Sequence, residues 1–230
     1  MTDGYWRKTA LEGSPGSIVA PRPLPAPVRL SYKTVKRAMD CVLAGLGLLA
    51  LSPLLPTLAL IVRLDSQGPI LFSQTRVGEG GREFRCWKFR SMFVDAEDRK
   101  ERLESQNEMD GGILFKMKQD PRVTRVGRFI RKASIDELPQ LWNVFIGNMS
   151  LVGPRPAIPS EVAQYSLYER GRLTAKPGIT CFWQISGRSD LPFDQQVKLD
   201  IEYAQLSSLS VDLEILLRTL PAVLFARGAY

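Results

Sequence analysis

The uncharged run Cys41–Val62, CVLAGLGLLALSPLLPTLALIV, decides what kind of fold this chain can adopt. In helical form its 22 residues, at ~1.5 Å each, would reach across a hydrocarbon core of ~30 Å. A spanning helix is the simple reading. Ser52-Pro53 near the middle and Pro56 one turn later oppose it, because each proline removes a helix hydrogen bond and bends the axis. The flanks oppose it as well. Lys33, Lys36 and Arg37 stand before the run, and Arg63, Arg76, Arg82, Arg85, Lys88 and Arg90 follow it. Cations at both ends suit an element that enters and leaves by the cytoplasmic face. A re-entrant helix-break-helix, broken at Ser52 and Pro53, is therefore expected over a span. A buried helix of a soluble protein fits less well at this length.

Upstream, residues 1–30 are rich in Pro, Gly and Ser, as in PRPLPAPVRL, and lack the arrangement of a cleavable signal peptide. Such a composition builds no core and is expected to be a disordered or extended tail. Downstream, Ile70–Val77 and Arg82–Met92 flank Gly78-Glu79-Gly80-Gly81, the pattern of a β-hairpin. Lys88 and Arg90 lie two residues apart on its second strand and so share a face. They read as solvated edge charges or as a pair of cations facing phosphate. Val94–Met109 is highly charged and is expected to be an exposed helix or lid, ended by Gly111-Gly112. Arg122, Arg125, Arg128, Arg131 and Lys132 then recur in steps of about three. They read as a basic helix face, either solvated or in contact with lipid headgroups or phosphates.

Next comes RKASIDELPQLWNVFIGNMSLVGPRP, Arg131–Pro156, with the adjacent carboxylates Asp136 and Glu137. A capping box with Ser134 as N-cap is one reading. Pro139 opposes it, because only the first four N–H groups of a helix lack internal partners and Pro139 would be the fifth helical residue. The helix is expected to start at Asp136 or later, placing both carboxylates at its mouth, where free N–H groups can also hold an anion. Spacing alone leaves a catalytic dyad and an ordinary helix start both open. Arg155 stands between two prolines that fix its backbone, and arginine suits bidentate phosphate binding. Lys176, before Pro177-Gly178, is a similar candidate, and Arg188, after Gly187, a third. Phe193–Leu206 has helical periodicity, with Phe193, Val197, Ile201 and Ala204 on one face. Asp200 shares that face and should meet a cation, either a structural partner or a site residue. Ser210–Phe225 is a second amphipathic helix, which can pack on the core or lie at a membrane surface.

The totals narrow the chemistry. A chain of 230 residues holds one domain with a substantial core, and its net charge of +7 points to anionic partners. There is no histidine, which excludes Ser-His and Cys-His catalysis and a His-ligated zinc site. Cys41, Cys86 and Cys181 form no CxxC and read as reduced, small hydrophobes in a cytoplasmic setting.

These stretches together resemble a known family, the bacterial monotopic phosphoglycosyl transferases, which move a hexose-1-phosphate from a UDP-sugar onto a polyprenyl phosphate. The resemblance runs in order through KFRSM (Lys88–Met92), DPRVTRVGRFIRK (Asp120–Lys132), the Asp136-Glu137 stretch, KPGIT (Lys176–Thr180) and SGR (Ser186–Arg188). It covers nearly all of Lys33–Leu220. It implies an α+β, mostly helical monotopic membrane protein with a re-entrant helix over 31–64, a small β-hairpin, interfacial amphipathic helices and a cytoplasmic catalytic domain over 65–230. It implies Asp136 as nucleophile and Mg²⁺ ligand, with Glu137 as base or organiser. UMP would leave and a phosphosugar-aspartate would form. Lys88, Arg90, Arg155, Lys176 and Arg188 would bind phosphate, with Asp200 in support. The implied setting is the cytoplasmic face of a bacterial inner membrane, in glycan or exopolysaccharide synthesis. Larger members carry extra N-terminal membrane helices, where a Pro-rich tail is expected here. Two rival readings are a non-catalytic basic protein of the membrane surface and a nucleic-acid-binding module. Neither explains the run broken at Ser-Pro or the Asp-Glu pair, and no nucleic-acid partner is expected. The sugar and any homo-oligomer stay open.

Overall fold

The apolar run forms two helices, α1 (Leu30–Leu51) and α2 (Leu54–Asp65), bent by 66° at Ser52-Pro53. The computed structural model describes residues 30–103, 105, 107, 108, 113, 115, 117, 119–187 and 191–224. The tail preceding residue 30, Gly111-Gly112 and Arg188 lie outside these. No single described helix is long and apolar enough to cross a membrane, whereas the bent pair together has the length and composition. At the break, Ser52 Oγ and Ser52 N both turn back on Leu49 O, at 2.7 and 3.2 Å. Pro56 contributes little to the bend. It is the third residue of α2, where its missing N–H would have no helical partner.

The hairpin is present as expected. Strands β1 (Leu71–Val77) and β2 (Glu83–Phe89) pair antiparallel from Leu71↔Phe89 to Val77↔Glu83. The connection is a 3₁₀ turn, Glu79–Gly81, in which Gly80 and Gly81 take φ of 68° and 80°. Helix α3 (Ala96–Leu103) is the mostly exposed, charged helix predicted within 94–109. Helix α4 (Arg125–Lys132) starts at Thr124, whose Oγ1 accepts from Gly127 N at 2.9 Å. The 3₁₀ turn Ile135–Glu137 follows, then α5 (Gln140–Phe145) and β3 (Ser150–Val152). Beyond them come α6 (Pro159–Ala163), a 3₁₀ stretch Glu169–Thr174, β4 (Gly178–Thr180) and α7 (Phe182–Ser186). Helices α8 (Phe193–Leu206) and α9 (Leu209–Leu224) complete the described chain. The fold is thus mixed α and β and mostly helical. One element was unexpected: β3 and β4 form a second, parallel pair, Ser150↔Gly178 and Val152↔Thr180.

Each arm of the bent pair has its own partner. Along α1, Gly45 and Gly47 let α5 approach, so that a Cβ on them would sit 3.4 Å from Phe145 and 3.3 Å from Leu141. Arg37 donates to Val144 O and Phe145 O at 2.6 and 2.7 Å and so closes the carbonyl end of α5. Asp40 accepts from Leu151 N at 3.0 Å. The buried Asp212 of α9 gathers Tyr32, Lys36 and Tyr203 at 2.7–2.9 Å. The second arm packs on α4: Leu58 and Val62 form one cluster with Phe89 and Ile130. On the outer side, Val42, Leu46 and Leu49 of α1 and Leu60, Ile61 and Leu64 of α2 remain exposed. Helix α9 is split in the same way. Ile215 is fully buried, whereas Leu213, Leu217 and Leu220 are exposed.

Candidate active site

The two carboxylates sit where the two arms are bridged. The chain leaves α4, which packs on α2, and enters α5, which packs on α1. The turn between them carries Asp136 and Glu137. Ile135 and Leu138, on either side of the pair, pack into the cluster of Leu58 and Val62. The dyad is therefore fastened to the base of the bent element. Ser134 is not an N-cap; it takes φ 56°, ψ 21° and makes no side-chain cap. A non-glycine residue in this left-handed region costs on the order of 1 kcal/mol or more. The α-helix begins only at Gln140 with Pro139 as its cap residue, so the proline falls where its missing N–H is harmless.

Strand β2 brings the countercharge. Lys88 Nζ donates to Glu137 Oε1 at 2.6 Å, and both side chains remain about one quarter exposed. Asn143 of α5 holds that strand in place. Its Oδ1 accepts from Trp87 N at 3.1 Å and its Nδ2 donates to Arg85 O at 2.7 Å, along the outer edge of β2. Asn143 is fully buried, so these bonds satisfy groups that water cannot reach.

Neighbouring carboxyls thereby acquire different characters. Asp136 is 7 % exposed. Burial pushes its carboxyl up to about 6, against the pull of Lys88, with Glu137 adding to the rise. Burial also opposes ionisation of Glu137. The Lys88 ammonium, through charge and hydrogen bond, outweighs it, with Arg155 and Arg76 behind, and holds that carboxyl below its ordinary value.

Both carboxylates open on a cleft of about 800 Å³. Arg155, Lys88, Arg131 and Arg76 line it as well. Arg155 is exposed and among the described residues makes no side-chain hydrogen bond or ion pair. Arg76 is buried on β1, donating to Pro156 O at 2.8 Å and Gln74 Oε1 at 2.7 Å. Burial lowers the pKa of its guanidinium, and Arg155 adds to that. Nothing in the sequence marks Arg76 beyond its place among the flanking cations. Trp183 and Gln184 of α7 complete that wall.

Two predicted site residues depart from the expected arrangement, and a third meets a cation as expected. Arg90 borders the cleft, but its guanidinium is committed elsewhere. It donates to the carbonyls of Pro69 and Ser66, to Ser66 Oγ at 3.1 Å and to Val62 O at 3.4 Å, closing the carbonyl end of α2. It lies past the end of β2, so strand alternation no longer sets its direction. Lys176 does not line the cleft of Asp136. The backbone of its turn packs on Gly153, where a Cβ would come within 2.1 Å of Lys176 O. Its side chain opens instead on a smaller cleft of about 120 Å³ with Tyr32, Lys33 and Lys36. Asp200 does meet a cation, but one the sequence reading did not name: the buried Arg172. Of the basic run before the dyad, Arg131 faces the cleft and Arg122 is buried against Asp120 at 2.6 Å. Arg125, Arg128 and Lys132 are exposed.

The chain is similar to known proteins over most of its length. The chain is 48 % identical over 202 residues to "Galactosyl transferase CpsE" of Streptococcus agalactiae serotype III (strain NEM316), covering 87 % of this chain and 44 % of that protein. It is 41 % identical over 206 residues to "UDP-glucose:undecaprenyl-phosphate glucose-1-phosphate transferase" of Escherichia coli (strain K12), covering 86 % of this chain and 42 % of the relative. A relative of similar span is "Exopolysaccharide production protein ExoY" of Rhizobium meliloti (strain 1021), 39 % identical over 198 residues, covering 85 % of this chain and 88 % of the relative. The chain thus spans less than half the length of the first two. The profile of the family described as "Bacterial sugar transferase" matches residues 31–226. With that match covering all but the ends of the chain, this protein belongs to the bacterial sugar transferase family.

Proposed function

We propose that the protein transfers a hexose-1-phosphate from a UDP-sugar to undecaprenyl phosphate, with release of UMP, in the assembly of an exopolysaccharide or related glycan. The observation that carries this reading is the turn Ile135–Glu137, which presents a buried carboxylate of raised pKa to a cleft lined by arginine and lysine. The name of the E. coli relative, an undecaprenyl-phosphate glucose-1-phosphate transferase, supports the same acceptor.

In this reading an Asp136 oxygen attacks the sugar-bearing phosphorus of the donor. The bond from that phosphorus to the bridging oxygen breaks, and UMP leaves with the electron pair. The phosphosugar is then held on Asp136 as an acyl phosphate. An oxygen of the polyprenyl phosphate attacks the same phosphorus, the Asp136–phosphorus bond breaks, and a polyprenyl-diphosphate sugar results. Glu137, kept ionised by Lys88, is placed to accept the remaining acceptor proton or to organise the site. The diphosphate must be offset before a carboxylate can approach it, and Arg155, Arg76 and Arg131 supply charge at the cleft wall. Among the described residues no three His, Cys, Asp or Glu side chains converge on a metal site. Asp136 and Glu137, side by side on the cleft, fit Mg²⁺, which binds through one or two carboxylates plus substrate phosphates, and Asp136 would be its protein ligand. When bound, such an ion would further neutralise the donor phosphates.

The exposed apolar faces of α1 and α2 suit an element that dips into the inner membrane from its cytoplasmic side. Residues 31–64 would form that element and 65–230 the catalytic body. The dyad at its base would let a soluble donor meet a lipid-bound acceptor at the interface. The test is UMP release from a panel of UDP-sugars with undecaprenyl phosphate and Mg²⁺. Release is expected with at least one sugar, and Asp136→Asn should abolish it. No release with any sugar, or full release from Asp136→Asn, overturns the reading. Vesicle binding that survives without turnover would point to the membrane-surface protein instead.

A further inference from the structure

Four successive carbonyls of the loop that carries Arg155 are held. Pro154 O accepts from Gly178 N at 2.9 Å, and Arg155 O from Arg172 Nη2 at 3.4 Å. Pro156 O accepts from Arg76 Nη1 at 2.8 Å, and Ala157 O from Val77 N at 2.8 Å. The donors come from β1, the 3₁₀ stretch before β4, and β4 itself. The backbone is pinned at every step while the Arg155 side chain projects into the cleft without a partner among the described residues. A guanidinium mounted this way gives up side-chain freedom but little backbone freedom when it meets a phosphate.

The pin at Arg155 O differs from the others. Arg172 is buried, and its guanidinium also donates to Tyr165 Oη at 3.0 Å and to the fully buried Asp200 of α8. A buried ion pair is poorly suited to stability, since an apolar pair of similar volume often serves as well or better. This pair is imperfect even on its own terms, as Arg172 Nε and Asp200 Oδ1 have no hydrogen-bond partner. Burial raises the Asp200 carboxyl to about 6 despite Arg172, and the Arg155 charge also reaches it. Arg172 is thus held among Asp200, Tyr165 and the backbone of Arg155.

We propose that Arg172, held by Asp200, is a positioning residue that sets the backbone of Arg155 so that its guanidinium meets the diphosphate of the nucleotide-sugar donor. This rests on the transferase reading given above. If Arg172 acts through Arg155, the two must be coupled, and a residue that merely stabilises the fold would not be.

The experiment is a double-mutant cycle on the full chain, with UMP release as readout and thermal melting as control. The first arm is Arg172→Met with Asp200→Leu, which replaces the ion pair by apolar side chains. It should melt near the wild type while the KM for the UDP-sugar rises roughly tenfold and kcat changes less. Arg155→Ala should raise KM by a similar factor in the wild type and by less than about threefold in the Arg172→Met/Asp200→Leu background. Equal effects of Arg155→Ala in both backgrounds overturn the proposal. Should the apolar pair fail to fold, Arg172→Lys takes its place. It keeps a charge against Asp200 but cannot reach Tyr165 Oη and Arg155 O together, so KM should again rise, and an unchanged KM overturns the proposal. A wild type without turnover for any donor removes the transferase reading and this inference together. Active wild type with additive variants removes this inference alone.

Discussion

Asp136 and Glu137 are neighbours in the chain and opposites in behaviour. The carboxyl that would attack phosphorus is buried and titrates near 6, while its neighbour is held ionised by Lys88. Attack requires the ionised form, so turnover should fall as pH drops through about 6, with the slope of one proton. A pH profile of kcat/KM for UMP release, taken at donor concentrations well below KM, checks this, and values that are flat down to pH 5 would contradict it. Stability should run the other way. The folded-state value lies above the unfolded value of ~3.9, so the folded protein binds this proton more tightly between about pH 4 and 6. That contribution is present at low pH and is lost as pH rises through 6. Asp136→Asn cannot ionise, so it should be more stable than the wild type at pH 7.5, by roughly 1–2 kcal/mol. The gain should shrink towards pH 4, as thermal melts at the two pH values would show. The pair itself was legible in the sequence from its carboxylates and from Pro139. Their unlike ionisation was not, because Lys88 arrives from a strand 49 positions away. Arg172 escaped notice for the same reason, being 28 positions from Asp200.

The elements that hold the dyad were legible in proportion to how local their signals are. The hairpin announced itself by a glycine-rich turn between two strand-like runs, and α8 by its apolar spacing. The parallel pair β3–β4 could not be read, since each strand has three residues and the pairing joins positions 150 and 178. Period-two alternation gave the direction of Lys88 within β2 but failed at Arg90, one residue past its end. The join between α5 and β2 depends on one side chain. Asn143→Leu keeps the volume close to native and strands Trp87 N and Arg85 O without partners. It should cost about 2–4 kcal/mol in urea unfolding and lower turnover as Lys88 shifts. A loss under ~1 kcal/mol would show that water replaces both bonds.

Across the whole molecule, α1 and α2 are bent by 66° and each arm packs on the rest of the described chain. The first arm is fixed to α5 and α9, the second to α4. In sealed vesicles, single-cysteine reporters at Lys33 and Arg63, in a chain whose natural cysteines are replaced by alanine, should both be labelled from the side that carries the active site. Replacing Ser52 and Pro53 together by leucine removes the break, and the reporter at Arg63 should then lose access from that side. Labelling of the two wild-type flanks from opposite sides would show a span. The break was legible because Ser-Pro interrupts an otherwise uncharged run. The place of the dyad at its base was not, because it depends on Ile135 and Leu138 packing against Leu58 and Val62.

A bent element of this size also acts on its surroundings. The second arm has 12 residues, and at ~1.5 Å per residue it extends ~18 Å, little more than half of a ~30 Å hydrocarbon layer. Inserted from one side, it would add cross-sectional area mainly to the near monolayer. Many copies gathered in one patch would swell that monolayer relative to its opposite and bow the lipid sheet outward on that side.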